Sequence, residues 1–214
     1  MKEIALRDTL PAVFKGDARR PSEVWLSDVV FRKGENYLIS AESGTGKSSL
    51  CAYIYGSRRD FLGQILFDGT PTSTLAIADW QRLRRESLAY LPQDLGLFPE
   101  LTAIENIRLK NDLTGHLSEE RIDYLLERLG IADRRDFPVG RMSVGQQQRV
   151  AVIRALAQPF DFMLLDEPVS HLDERNNRIV AEIVEEEARA MQASVIATSV
   201  GNHLLLSSVR TLHL

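Results

Sequence analysis

The sequence predicts an α/β fold with a mixed sheet core, and three observations carry that expectation. Short β-like runs alternate with turn signals and helical stretches at both ends of the chain, a strand runs into a glycine-bearing turn and a helix start at residues 37–49, and an apolar strand ends in two adjacent carboxylates at 166 and 167. Taken in order, Val24–Phe31 and Tyr37–Ser40 read as strands separated by the turn Arg32-Lys33-Gly34-Glu35, and Gln64–Phe67 reads as a strand ended by Asp68-Gly69. Leu88–Leu91 is strand-like again. The character then becomes helical: Thr102 and Glu105 have capping-box spacing, and Ser118 opens an acidic first turn before Ile122, Leu125, Leu126 and Leu129, with Gly130 closing the helix. Phe160–Leu165 is a continuous apolar strand, and a helix runs from about Asp173 to Met191 with Ile179, Val180, Ile183 and Val184 on one face. Ser194–Thr198 is the last strand read from the pattern. The early and late parts are expected to share one sheet, so that residues 1–94 and 158–214 form a core interrupted by a helical insertion at about 95–157.

A chain of 214 residues makes one substantial domain, burying roughly 70% of its unfolded surface. Its apolar runs are short, well below the ~20 residues that span a bilayer. Glu3, Arg7 and Asp8 interrupt the first residues, which therefore lack a secretory signal pattern. A cytoplasmic place is the expectation. The lone cysteine, Cys51, reads as a small buried residue on the helix after the glycine turn. With 30 acidic against 26 basic side chains and a net charge of −4, the composition offers no basic excess for nucleic acid.

Ala41-Glu42-Ser43-Gly44-Thr45-Gly46-Lys47-Ser48 follows the strand at Tyr37–Ser40, the context of a phosphate-binding loop. There, backbone N–H groups and a helix N-terminus converge on phosphate oxygens. Residues Ser43 to Ser49 would cradle the phosphates of ATP, Lys47 would reach the β- and γ-phosphates, and Ser48 would place its hydroxyl on Mg²⁺. Ala41 stands where such loops carry their first glycine, which is tolerable if φ there is negative. The second constellation, FMLLDEP at 162–168, sets Asp166 and Glu167 at the C-terminal end of a strand, the edge where α/β sheets bind ligands. Neighbouring residues on an extended chain point apart, so Asp166 can serve the metal while Glu167 faces the attacking water.

The third segment, MSVGQQQR at 142–149, begins with Ser143 and Gln146 at capping-box spacing. With the two motifs flanking it in this order, it resembles the LSGGQ signature of ATP-binding cassette proteins, and the resemblance covers nearly the whole chain. It implies an antiparallel β subdomain and an α-helical subdomain around the P-loop core. Gln93 in YLPQD resembles the Q-loop glutamine, which senses Mg²⁺ and the attacking water. Ser170-His171-Leu172-Asp173 resembles the D-loop, with Asp173 at a dimer interface. Two such cassettes bind ATP head to tail, so that Ser143, Gly145 and Gln146 of one chain would serve the γ-phosphate held by Lys47 of the other. An aromatic residue before the P-loop stacks on adenine in this family; Phe14 is the first candidate and Trp25 the second. Leu97–Ile107 would border the groove that receives a separate integral-membrane permease, placing the ATPase on the inner face of the membrane through its partner. The QQQR ending and compact size resemble cassettes of lipoprotein release, macrolide efflux and cell division.

Two departures bear on catalysis. Val144 replaces the first glycine of the signature pair, and a β-branched residue requires negative φ there. Ser199 follows Thr198 where the family carries a histidine that contacts the γ-phosphate, and a hydroxyl supplies no imidazolium. His203, four residues on, reaches the site only if the loop folds back. The leading reading is an ATPase subunit driving a transporter or a membrane-anchored mechanical complex. A nucleotide-gated switch with slow hydrolysis is the alternative; the helical insertion is too short for the long coiled coil of chromosome-maintenance ATPases.

Overall fold

The structure, a computed structural model, describes residues 1–16 and 22–214. Nine strands divide between two sheets among these residues. The first sheet is antiparallel: β1 (Glu3–Pro11) lies between β2 (Val29–Arg32) and β4 (Phe61–Phe67), and β5 (Thr70–Pro71) joins β4 at the edge. Asp68 (φ 48°) and Gly69 (φ 82°) form the turn from β4 to β5, because two successive left-handed residues match the twist of a two-residue hairpin. One face of this sheet buries Ile4, Leu6, Phe31, Ile65 and Phe67.

The second sheet is parallel, in the order β6 (Leu88–Leu91), β7 (Phe162–Asp166), β8 (Ser194–Ser199), β3 (Tyr37–Ser40) and β9 (Arg210–His213). The expectation that early and late segments share one sheet holds, since β3 pairs with β8. Every residue of β7 and β8 is buried, which is why both read as near-continuous apolar runs. The registers Asp166↔Thr198 and Ser40↔Ser199 bring the C-terminal ends of β7, β8 and β3 to one edge.

Helix α1 (Lys47–Tyr55) follows β3 and buries Leu50, Cys51, Tyr53 and Ile54. Helix α2 (Ile77–Glu86) packs Trp80 on that core. Between β6 and β7 lie α3 (Ala103–Asn111), α4 (Glu119–Arg128) and α5 (Val144–Leu156). Thr102 and Ser118 cap the first two through the N–H groups of Glu105 and Arg121, as their spacing predicts. Helix α6 (Glu174–Ala190) is capped by Asp173 and buries Val180, Ile183 and Val184. No helix of the described residues is long and apolar enough to cross a membrane.

The pattern misplaces some elements. Val24–Phe31 is not one strand: only Val29–Arg32 is extended, because Leu26 adopts φ 57° and donates its N–H to Thr9 O. Tertiary bonding ends the strand where apolar pattern alone would continue it. The strand β1 carries charges at Glu3, Arg7 and Asp8, which mask its alternation, and β9 is mostly exposed at the sheet edge.

Candidate functional site

The residues after β3 form a tight loop whose helix begins at Lys47 with Gly46 as its N-cap in the left-handed region, φ 95°. A side chain at Gly46 would lie 3.2 Å from both Phe14 and Trp25, so the glycine is required by conformation and by space. Ala41 is absent from the positive-φ residues, which is how a methyl group is accommodated there. The buried Lys47 ammonium donates to Glu42 O at 2.7 Å and reaches Ala41 O at 3.5 Å. Burial lowers the Lys47 pKa, and the nearby Glu167 and Asp166 carboxylates oppose that shift. The cation is therefore held bent over its own loop, with its charge compensated across the sheet edge. Thr45 Oγ1 closes the loop by donating to Glu42 O at 2.9 Å.

Asp166 is buried at the end of β7 and accepts from Thr198 Oγ1 at 2.6 Å through Oδ1. Its Oδ2 is buried with no hydrogen-bond partner. A buried carboxylate oxygen without a donor is costly unless something occupies its lone pairs. Glu167 takes φ 52°, a strained value for a non-glycine residue. Its N–H is held at 3.3 Å from both Thr198 O and Thr198 Oγ1. That kink ends the extended geometry of β7 at Glu167. Ser48 Oγ donates to Gln93 Oε1 at 3.3 Å, which brings the loop after β6 against the start of α1.

The N-terminus of α5 is built as its spacing predicts: Ser143 Oγ accepts from Gln146 N at 3.3 Å, and Gln146 Oε1 accepts from Ser143 N at 3.0 Å. Val144 has negative φ and is 48% exposed. Gly145 faces residues 170–173, and a methyl group there would lie 3.2 Å from His171 O. Gln148 locks the two segments by donating to Ser170 Oγ at 2.9 Å and accepting from His171 N at 3.1 Å. Among the described residues, no hydrogen bond joins Ser143, Gly145 or Gln146 to residues 43–49.

The remaining sequence candidates are placed as follows. Phe14 is half-buried beside Gly46, whereas Trp25 is buried and donates its indole N–H to Thr45 O at 2.9 Å. Trp25 thus braces the phosphate loop from within, a role the sequence does not signal. Ser199 is 2% exposed, and its carbonyl accepts from Ala41 N at 3.4 Å. His203 is exposed with Nδ1 3.0 Å from Gly201 O, so the loop does not fold its imidazole under Glu167. Thr198 is the residue that sequence reasoning missed; only the pairing of β8 with β7 sets it opposite Asp166.

Comparison with known proteins follows this geometry. Residues 27–170 match the ABC transporter family. The lipoprotein-releasing system ATP-binding protein LolD of Novosphingobium aromaticivorans is 37% identical over 171 residues, covering 78% of this chain and 76% of that protein. The macrolide export ATP-binding/permease protein MacB of Rhodopseudomonas palustris is 35% identical over 174 residues, covering 80% of this chain. The chain spans only 27% of the length of that relative. A dimeric post-hydrolysis structure of the ATP-binding cassette MJ0796 bound to ADP and Pi superposes with a TM-score of 0.74 at 25% identity, covering 93% of this chain and 88% of that one.

Proposed function

The chain belongs to the ABC transporter family, and from that membership we propose that it is an ATP-hydrolysing subunit that dimerises head to tail on ATP and drives a separate integral-membrane permease from the inner face of the membrane. The observation that carries this reading is the pairing of a phosphate loop whose lysine sits bent on its own carbonyls with a buried, unpartnered oxygen of Asp166. Loop residues Ser43 to Ser49 hold the phosphates through backbone N–H groups, and Lys47 exchanges Glu42 O for phosphate oxygens. Phe14, beside Gly46 and half-buried, stacks on adenine.

Mg²⁺ fits the donors present. Asp166 Oδ2, Ser48 Oγ and Gln93 Oε1 are oxygen ligands of the hard type this ion takes with phosphates and water. When bound, it neutralises charge on the β- and γ-phosphates. Glu167 accepts a proton from the attacking water as its oxygen bonds to the γ-phosphorus, while the bond to the bridging β-oxygen breaks and ADP leaves. The strained backbone at Glu167 aims the carboxylate, and Thr198 holds that backbone in place. Ser143 is exposed at the start of α5, with no hydrogen bond to residues 43–49 among the described residues, which favours service to the loop of a second chain. The similarity to lipoprotein-release and macrolide-export relatives supports a partner of that branch of the family.

Glu167→Gln tests this assignment. It retains nucleotide contacts and removes the proton acceptor, so the variant is expected to elute as a dimer at saturating Mg-ATP and as a monomer without it. A monomer under both conditions in size-exclusion chromatography would refute head-to-tail dimerisation.

A further inference from the structure

The turn between β7 and α6 carries Glu167 and is held largely from outside itself. It opens on the left-handed Glu167 and passes through Pro168, which has no N–H. Its own main-chain bonds run from Ser170 N to Glu167 O at 3.4 Å and from Leu172 N to Val169 O at 3.1 Å. A non-glycine residue at positive φ persists where its surroundings over-determine it. Thr198 supplies that constraint on the amide side of Glu167. Downstream, two side-chain amides from distant elements supply it. Gln148 of α5 grips Ser170 and His171. Asn202, in the loop after β8, donates through Nδ2 to Val169 O at 2.8 Å and to Leu172 O at 3.3 Å, and so spans the turn from the opposite segment.

Asn177 fixes which way the Asn202 amide faces. It is 1% exposed on α6, and its side chain is fully committed: Nδ2 donates to Asn202 Oδ1 at 3.1 Å and to His203 O at 2.9 Å, while Oδ1 accepts from Leu205 N at 3.2 Å. With Oδ1 of Asn202 bound to a donor, its NH₂ group is left for the two carbonyls; a flipped amide would set oxygen against both. A buried amide with its hydrogen bonds made is a rigid anchor. We propose that Asn202, oriented by Asn177, is a positioning residue for Glu167: it fixes the turn through the carbonyls of Val169 and Leu172 and thereby sets where the Glu167 carboxylate stands.

The proposal rests on the ATPase reading, in which Glu167 accepts a proton from water, and adds to it a side chain that serves the reaction through main-chain carbonyls alone. Asn202 lies on the segment that also contains Ser199, whose carbonyl holds Ala41 N, so one stretch of chain anchors both the phosphate loop and the turn of Glu167. When the turn slackens, the phosphate loop keeps its own contacts: Lys47 and Thr45 on Glu42 O, and Trp25 on Thr45 O. The loss therefore falls on turnover and spares nucleotide binding.

Two variants of the full chain test it. Asn202→Ala removes the whole amide, whereas Asn202→Asp keeps the volume and the acceptor for Asn177 but sets an oxygen against the carbonyls of Val169 and Leu172. Each is expected to lower kcat for ATP at least about tenfold, since a displacement on the order of 1 Å at the reacting groups costs up to about 100-fold. KM for ATP stays within about twofold. Hydrogen exchange, read by mass spectrometry without nucleotide on the peptide spanning residues 167–173, is expected to quicken about tenfold in Asn202→Ala. Unchanged exchange overturns the tether, and unchanged kcat in either variant, or a loss that appears in KM instead, overturns the positioning role. An unmodified chain that turns over no ATP overturns the ATPase reading and the positioning role with it, while the exchange measurement still decides whether Asn202 holds the turn.

Discussion

Thr198→Val probes the bond on which both carboxylates depend. Thr198 is fully buried, and its hydroxyl serves Asp166 Oδ1 at 2.6 Å and stands 3.3 Å from Glu167 N. Valine nearly matches the volume, so the loss is electrostatic, not a cavity. A hydrogen bond to a charged group is worth about 1.5–3 kcal/mol. Asp166 has its second oxygen already without a donor, which puts the cost at the upper end of that range. The Glu167 N–H keeps Thr198 O at 3.3 Å, so that part of the loss is small. At roughly 2–4 °C per kcal/mol for a chain of this size, the midpoint of thermal unfolding falls by about 5–10 °C. Far-UV circular dichroism without nucleotide measures it, and Thr198→Ser keeps most of the stability. Saturating Mg-ATP raises both midpoints, because ligand binding stabilises the folded state. A midpoint within about 1 °C of the unmodified chain refutes the account of Asp166 as dependent on this hydroxyl.

Ser199→His tests the departure at the end of β8: steady-state ATP turnover rises by about tenfold or more if a missing imidazole limits hydrolysis, and an unchanged rate shows that serine is not limiting. Phe14→Ala weakens ATP binding about tenfold by isothermal calorimetry, whereas Trp25→Phe loses the bond to Thr45 O and lowers stability by about 1 kcal/mol in urea; equal loss of binding in both would place adenine differently. His116 has a buried, unpartnered Nε2, and burial lowers its pKa, opposed by Glu187. Its folded value lies below the unfolded value of 6.5, so the unfolded chain binds more protons and stability is lost as pH falls from that value. His116→Leu flattens the stability profile below pH ~6.5 in urea titrations, and an unaltered slope there refutes the assignment.

Much of the candidate site was legible because its chemistry is local. The glycines at 44 and 46, Lys47 and Ser48 lie in one turn, and their spacing is the geometry. The cap at Ser143 and the carboxylates after an apolar strand are local in the same sense. What sequence could not supply comes from contacts between distant segments. Trp25 reads as a core aromatic, and only the folded loop shows its indole bonded to Thr45. Thr198 is an unremarked strand residue until β8 lies against β7, 32 positions away in sequence. The strand order matters equally, since β9 and β1 carry too many exposed or charged residues for period-two alternation to reveal them.

That same strand order separates binding from turnover. β8 lies between β3, which leads into the phosphate loop, and β7, which ends in the carboxylates, so its last two residues touch both halves. Thr198 works on the β7 side through Asp166 and Glu167. Ser199 works on the β3 side through its carbonyl and Ala41 N, a main-chain contact that any side chain preserves. A change of side chain at 199 therefore leaves the loop anchored, whereas a change at 198 disturbs the hydrogen bonds of Asp166 and Glu167. The proposed roles therefore predict that substitutions at 199 and at 198 separate, the first sparing the main-chain anchor of the loop and the second disturbing the hydrogen bonds of Asp166 and Glu167.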